Sequence, residues 1–132
     1  MVYKHIVMWK FKEQHNGKSA LENARWMKEQ LEALVGVVPE LLSAEVGISP
    51  ALEQAASVPS DAAAQSNAVA APSNAAAPAQ AASGEYDACL VSAFASPEAL
   101  AAYKVHPKHK AISAYCKEAR LKRLAFDWWS EE

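Results

Sequence analysis

Residues 2–12, Val2-Tyr-Lys-His-Ile-Val-Met-Trp-Lys-Phe-Lys12, predict a β-strand that carries large apolar groups on both faces. Because side chains alternate across a strand, one face carries the aromatic residues and a histidine: Tyr3, His5, Val7, Trp9 and Phe11. Ile6 and Met8 lie on the other face. A sheet with one solvated face alternates cleanly between apolar and polar residues. We therefore expect this strand to be covered on both sides.

Turn and capping residues place a helix after this strand. Asn16-Gly17 predicts a turn. Ser19-Ala-Leu-Glu22 has the form of a capping box, in which the serine hydroxyl accepts from a first-turn amide and the glutamate reaches back to the amide of the cap residue. Apolar residues then recur at spacings of three and four up to about Val35. Gly36 is placed to end the helix.

The remaining elements are predicted from the same signals. Further strands are expected at 41–49, 85–95 and 120–129. Residues 96–98, Ser-Pro-Glu, predict a second helix start, because they supply a cap, a first-turn proline and an acid at the positive end of the dipole. Pro107 disfavours helical geometry at His106 and lacks a backbone donor. The second helix should therefore break there and resume over about 108–118.

The predicted order is β-α-β-β-α-β, the split arrangement of α+β ferredoxin-like folds. Two helices can cover only one face of a four-stranded antiparallel sheet. The other face, which is also apolar, then needs a second sheet, and a twofold-related copy of the same chain supplies one. We therefore predict a homodimer whose two sheets form an α+β barrel, with any residual cavity available to a small ligand.

Residues 50–84 interrupt this pattern. Fifteen of these 35 residues are alanine and four are proline, and the segment contains no lysine, arginine or aromatic residue. Such a composition buries too little side chain to offset the entropy of ordering, so we predict a flexible Ala/Pro/Ser-rich insert within a single domain spanning 1–132. Alanine favours short helices around 51–57 or 62–71, which the prolines limit in length.

Composition excludes several classes of function. The 132-residue chain has a formal net charge of −2 and no basic tract, which argues against nucleic-acid binding. No apolar run approaches the roughly 18 residues that a membrane span needs. The first residues lack the layout of a signal peptide, and Cys89 and Cys116 show no metal-ligand spacing. We therefore expect a cytoplasmic protein with reduced thiols.

The stretch Leu100-Ala-Ala-Tyr-Lys-Val-His-Pro-Lys-His-Lys110 holds the side chains with the most chemistry. The kink at Pro107 fixes the directions of Tyr103, His106 and His109, and it can aim a phenol and an imidazole at one small volume. In the alternative interpretation Tyr103 is a core aromatic and both histidines are surface residues, and the spacing alone favours this alternative. A metal site at His106 and His109 is disfavoured, because no carboxylate lies nearby.

Five stretches outside the insert share a wider pattern: Lys4-His-Ile-Val-Met-Trp-Lys-Phe-Lys12, Leu41-Leu-Ser-Ala-Glu-Val-Gly47, Tyr86-Asp-Ala-Cys-Leu-Val-Ser-Ala-Phe94, Ser96-Pro-Glu-Ala-Leu-Ala-Ala-Tyr-Lys-Val-His-Pro-Lys-His109 and Phe126-Asp127. With these stretches the sequence resembles the Dabb family, the stress-responsive dimeric α/β-barrel domain. The resemblance covers nearly all of the chain outside 50–84, and it implies the same fold and the same dimer as the strand pattern.

The resemblance also implies roles for individual side chains. A plant polyketide cyclase of this family uses a tyrosine and a histidine six residues apart, which correspond to Tyr103 and His109. It implies that His109 is the general base for a proton alpha to a carbonyl, that Tyr103 polarises the oxygen, and that His5 lines the pocket. At the position of that enzyme's strand-three pocket histidine this chain has Ala88, so the resemblance does not extend to the substrate.

These observations lead to a main hypothesis and two alternatives. The main hypothesis is a stress-associated homodimer without a cofactor that binds a small hydrophobic or aromatic molecule in a cavity lined by His5, Trp9, Tyr103, His106 and His109. The first alternative is a cofactor-free cyclase, isomerase or monooxygenase acting on an enolisable or phenolic compound. The second is a non-enzymatic structural dimer. An open cavity with inward-facing imidazoles favours binding or catalysis, whereas a cavity closed by large side chains favours the structural dimer.

Overall fold

A computed structural model describes residues 1–57 and 85–131 of the chain. In chain order the elements are β1 Val2–Phe11, β2 Gln14–His15, β3 Lys18–Ser19, α1 Ala20–Glu32, β4 Ser43–Ile48, α2 Pro50–Ser57, β5 Ala88–Phe94, α3 Pro97–Val105, α4 Pro107–Ala119 and β6 Arg120–Ser130. The long strands and the helices follow the predicted order. The short ladder of β2 and β3 and the helix α2 are additions to it.

The four long strands form one antiparallel sheet in the order β4-β5-β1-β6. With the helices between them, this is the ferredoxin-like α+β fold that the sequence pattern predicts. In the central strand, His5 lies opposite Ser92 of β5 on one side and opposite Asp127 of β6 on the other. A register shift between Lys10 and Phe11 ends the regular pairing of β1 with β6.

Local signals set the ends of α1. The Ser19 hydroxyl accepts a hydrogen bond from the Glu22 amide at 3.1 Å, and the Glu22 carboxylate accepts one from the Ser19 amide at 2.9 Å. This confirms the capping box. The turn before it has positive φ at both Asn16 and Gly17, which suits a two-residue hairpin between β2 and β3. The helix ends at Glu32, three residues earlier than predicted.

We expect Ser19→Ala to lower the free energy of unfolding by about 1 kcal/mol, because the Glu22 amide in the first turn then loses its hydrogen-bond acceptor. Urea unfolding monitored by circular dichroism measures this change. Glu22→Gln is the matched control, since the amide oxygen of glutamine still accepts the Ser19 amide, and it should cost less than half as much. A loss in Glu22→Gln as large as in Ser19→Ala would contradict this account of the helix start.

The break between α3 and α4 lies where proline predicts it. Ser96 caps α3 by accepting a hydrogen bond from the Ala99 amide at 3.1 Å, and Pro97 occupies the first turn. His106 adopts an extended backbone with φ −65° and ψ 136°, and Pro107 starts α4. The Nδ1 atom of His106 accepts a hydrogen bond from the Lys108 amide at 3.2 Å. His106 is thus the N-cap of α4.

The helices cover one face of the sheet, and no helix within residues 1–57 and 85–131 covers the other. On the covered face β1 alternates as predicted, with His5, Val7, Trp9 and Phe11 all buried. The opposite face carries a continuous set of partly or fully exposed apolar side chains, which we call the open face: Ile6, Met8, Val91, Leu124, Phe126 and Trp128. Phe126 is 62% exposed, and its ring stacks on that of Trp128 with centroids 5.9 Å apart.

The start of the insert is helical. Helix α2, Pro50–Ser57, falls in one of the two ranges where alanine favours helix, and the Ser49 hydroxyl accepts a hydrogen bond from the Ala51 amide at 3.2 Å. The expected flexibility of residues 58–84 concerns a segment outside the described residues. None of the helices that the structure describes is both long and apolar enough to cross a membrane.

Candidate functional site

Tyr103 lies in α3 between two other rings, each tilted against its own. Its side chain is 1% exposed. Its ring centroid is 5.1 Å from that of Phe94 in β5 and 4.4 Å from that of His109 in α4. The Tyr103 hydroxyl is buried and has no hydrogen-bond partner among the described residues. Burial raises the pKa of this phenol, and Cys116 acts in the same direction, so the hydroxyl keeps its proton.

His109 faces Tyr103 because α4 begins at Pro107, two residues earlier. Its Nδ1 atom is 3.2 Å from the backbone carbonyl of Lys104. A carbonyl only accepts hydrogen bonds, so Nδ1 carries the proton, and in the neutral ring Nε2 keeps a free lone pair. Burial lowers the pKa of His109, the charges of Lys104 and Arg123 lower it further, as would a protonated His5, and the bond to the Lys104 carbonyl opposes them. His109 is therefore a neutral imidazole at pH 7.

His5 forms a second polar unit in the central strand. It is 3% exposed, and its Nδ1 atom lies 2.5 Å from Oδ1 of Asp127. Burial lowers the pKa of His5 and outweighs the hydrogen bond and charge of Asp127, which raise it, since that carboxylate is partly in solvent. The neutral ring then donates from Nδ1 to Asp127 and keeps Nε2 as an acceptor. The role of Asp127 was missed from sequence, because it depends on the register of β1 and β6.

A small, partly open cavity lies beside His109, between α1, α4 and the sheet. Its volume is about 40 Å³. Its walls are mostly apolar and include Val7, Trp9, Leu31, Leu90, Ile112 and Cys116. His109 lies at one side, and Arg120 and Arg123 of β6 lie at another. A cavity that binds benzene measures about 150 Å³, so this space holds a group of a few atoms and not an aromatic ring.

The structure brings the predicted residues Tyr103 and His109 into ring contact, and a charge on His5 would affect His109. Trp9 and His109 line the small cavity, whereas His5 and Tyr103 are not part of its lining. His106 is separate from this group, because its imidazole caps α4.

Among residues 1–57 and 85–131, no three His, Cys, Asp or Glu side chains are grouped to hold a metal ion. The side chains that do converge therefore offer a phenol, two neutral imidazoles and a carboxylate, which is a set suited to proton transfer.

The family of the chain follows from its match to a family model. The model of the stress responsive A/B barrel domain, Dabb, matches residues 3–63 and 73–130. The chain belongs to the Dabb family. All four polar residues of the cluster, His5, Tyr103, His109 and Asp127, lie inside the matched ranges. No curated protein matches the sequence.

Solved structures share the Dabb fold. A dimeric protein of unknown function with a ferredoxin-like fold from Bacteroides fragilis is 21% identical, with a TM-score of 0.66 over 98% of this chain and 96% of that one. A dimeric ferredoxin-like protein of unknown function from Thermobifida fusca is 19% identical, with a TM-score of 0.63 over 98% and 92%. A hydroxynitrile lyase from Passiflora edulis is 16% identical, with a TM-score of 0.62 over 99% and 95%.

Proposed function

We propose that this Dabb protein is a homodimer that binds a small hydrophobic or aromatic molecule, through an oxygen of that molecule, at Tyr103, His109 and His5. The observation that carries the proposal is the buried Tyr103 hydroxyl without a partner among the described residues, in ring contact with a neutral imidazole. Buried polar groups are nearly always hydrogen-bonded, and a hydroxyl left unpaired costs about 1–3 kcal/mol. A ligand oxygen that accepts from Tyr103 would recover this loss.

The same groups are suited to acid–base chemistry. Tyr103 keeps its proton and donates a hydrogen bond to a carbonyl or phenol oxygen. His109 presents an unprotonated Nε2, which takes a proton from the carbon alpha to that carbonyl, while the C–H electron pair moves into the enolate and Tyr103 stabilises its oxygen. A structural neighbour, the Passiflora edulis enzyme, is a hydroxynitrile lyase. The acid–base groups of the site support a cofactor-free cyclase, isomerase or monooxygenase acting on an enolisable or phenolic compound as the enzymatic form of the proposal.

The size of the cavity sets a condition on binding. At about 40 Å³ it does not accommodate a ring, so an aromatic ligand requires the half-buried His109 and the exposed Arg123 to move outward. This small volume favours the second candidate function, a non-enzymatic structural dimer. Assays of ligand binding and of turnover distinguish the ligand-binding protein from the structural dimer, because the structural dimer would show neither.

The open face supports the dimer. It presents six neighbouring apolar side chains on the uncovered side of the sheet, and two of the structural neighbours are described as dimeric. We place the dimer in the cytoplasm, where the free thiols Cys89 and Cys116 stay reduced. We infer its part in stress response from the description of the family.

We expect Tyr103→Phe to increase the free energy of unfolding by about 1 kcal/mol and to abolish ligand binding. Removal of an unpaired buried hydroxyl relieves its desolvation cost, but it also removes the donor to the ligand. Urea unfolding gives the stability. The histidine ring signals in NMR, followed during titration with simple phenols and β-keto acids, give the binding.

Tyr115→Phe is the matched control. The Tyr115 hydroxyl donates a hydrogen bond to Oδ1 of Asn23 at 2.5 Å, so its removal should destabilise the protein by about 1 kcal/mol and leave the ligand response unchanged. If the His109 signals of the wild type ignore every phenol and every β-keto acid, the binding proposal is wrong and the structural dimer stands.

A further inference from the structure

Two guanidinium groups border the cavity beside His109. The lining includes Arg120 and Arg123 and contains no aspartate or glutamate. We propose that the ligand of this site is a carboxylic acid, whose carboxylate is held by Arg123 with help from Arg120 at the rim of the cavity. This inference rests on the proposed function, because it names the chemical class of the molecule bound there.

The position of Arg123 directs it to the site. It lies opposite Trp9 in the β1–β6 register, and Trp9 is a buried residue on the helix-covered face. Because strand residues alternate between faces, Arg123 lies on that face too, whereas its neighbours Lys122 and Leu124 lie on the other. Arg120, at the end of α4, lies opposite Phe11 just past the register shift. Both arginines therefore reach the cavity from β6.

Neither guanidinium group is paired with a carboxylate of the described residues. Within 1–57 and 85–131, no carboxylate forms an ion pair with Arg120 or Arg123. Asp127 lies on the same face of β6, where its carboxylate accepts a hydrogen bond from His5. Partial burial lowers the pKa of Arg123, and the charge of Arg120 acts in the same direction, while the charge of Asp127 opposes them. Two like charges beside an apolar cavity form a site that an anion stabilises.

A carboxylate suits this arrangement better than another polar group. The planar fork of arginine pairs with both carboxylate oxygens at once. The apolar walls at Val7, Leu90 and Ile112 would receive the body of the ligand when the cavity widens. The class this describes is a carboxylic acid with a small apolar body, and it excludes the corresponding esters and amides.

The test compares 4-hydroxybenzoate with 4-hydroxybenzamide, which have nearly the same shape and differ in charge, by calorimetric titration of the full chain. We expect the wild type to bind the acid at least about tenfold more tightly than the amide, as a charge-assisted bidentate pair requires. Arg123→Gln should remove this preference by weakening only the acid. Lys122→Gln, the same charge change one residue away on the other face, should preserve it.

The outcomes separate this inference from the proposed function. If the wild type binds the acid and the amide equally well, the carboxylate assignment is wrong. If Tyr103→Phe then binds neither probe, the proposed site still stands. Failure of the wild type to bind either probe overturns both. Because the acid and amide are compared on the wild type itself, the result does not depend on how well Arg123→Gln folds. An equal loss of preference in Lys122→Gln would show a non-specific charge effect and also overturn the assignment.

Discussion

Phe126→Lys is expected to raise the dissociation constant of the dimer at least about a hundredfold. Phe126 is the middle one of the three open-face residues of the edge strand β6, stacked on Trp128 and 62% exposed in a single chain. If two open faces pack together, twofold symmetry introduces the substitution twice, and each buried ammonium loses its hydration without gaining a partner. Two losses of at least about 1.4 kcal/mol each give the hundredfold change. Sedimentation velocity over a range of protein concentrations measures it.

Ala125→Lys is the matched control. Ala125 is the preceding residue of β6, it is also exposed, and it pairs with Val7 on the helix-covered face. The same charge at this position should leave the dimer intact. A dimer of unchanged affinity in Phe126→Lys would mean that the open face is not the interface, whatever the oligomeric state of the wild type.

Much of the fold follows from short-range signals in the sequence. The capping box at Ser19 and the proline at position 107 fix helix ends through local sterics and hydrogen bonds, and both operate as expected. The alternation in β1 identifies its buried face. The end of α1 was set three residues too late, because apolar periodicity continues to Leu34 and Val35 beyond the last helical residue. Those two residues continue the apolar pattern without continuing the helix.

The site was predictable only in part, because some of its contacts are local and others are not. Tyr103 and His109 are six residues apart across a proline break, so their proximity follows from local geometry. The pair of His5 with Asp127 joins residues separated by 122 positions, and it depends on the strand register. The same holds for Arg123, which reaches the cavity only because β6 pairs with β1 as it does. No local pattern encodes that register.

The size of the cavity is also a non-local property. It depends on how Trp9, Leu31 and Ile112 from three different elements pack against one another. The sequence shows that each is apolar, but it does not show how much space they leave between them. The prediction of a ligand-sized cavity therefore could not be made quantitative from the sequence, and the structure gives about 40 Å³.

The second large effect concerns pH: the protein is expected to lose stability steeply as the pH falls below about 6.5. Burial holds the pKa values of both His5 and His109 below their ordinary value of 6.5 in the folded state. Between those lowered values and 6.5 the unfolded chain binds two protons that the folded chain does not. The free energy of unfolding therefore rises with pH in this window, by up to about 1.4 kcal/mol per pH unit for each histidine.

The positive charges around the imidazole rings of His5 and His109 act in the same direction as burial, against protonation. Lys104 of α3 and Arg123 of β6 oppose protonation of both imidazoles, and each would be repelled by a new positive charge. Asp127 alone favours a protonated His5, and its partial exposure weakens that effect. Asp127→Asn should therefore lower the pKa of His5 further and extend the unstable window to more acidic pH.

Urea unfolding at constant protein concentration, repeated from about pH 5 to about pH 7, measures the slope of the free energy of unfolding against pH. His109→Asn should reduce it by about half, because one of the two linked protonations is removed. The variant with both His5→Asn and His109→Asn should be nearly independent of pH in this window. If that double variant keeps the slope of the wild type, the acid sensitivity arises elsewhere, and the two imidazoles are not the buried neutral bases on which proton transfer at this site depends.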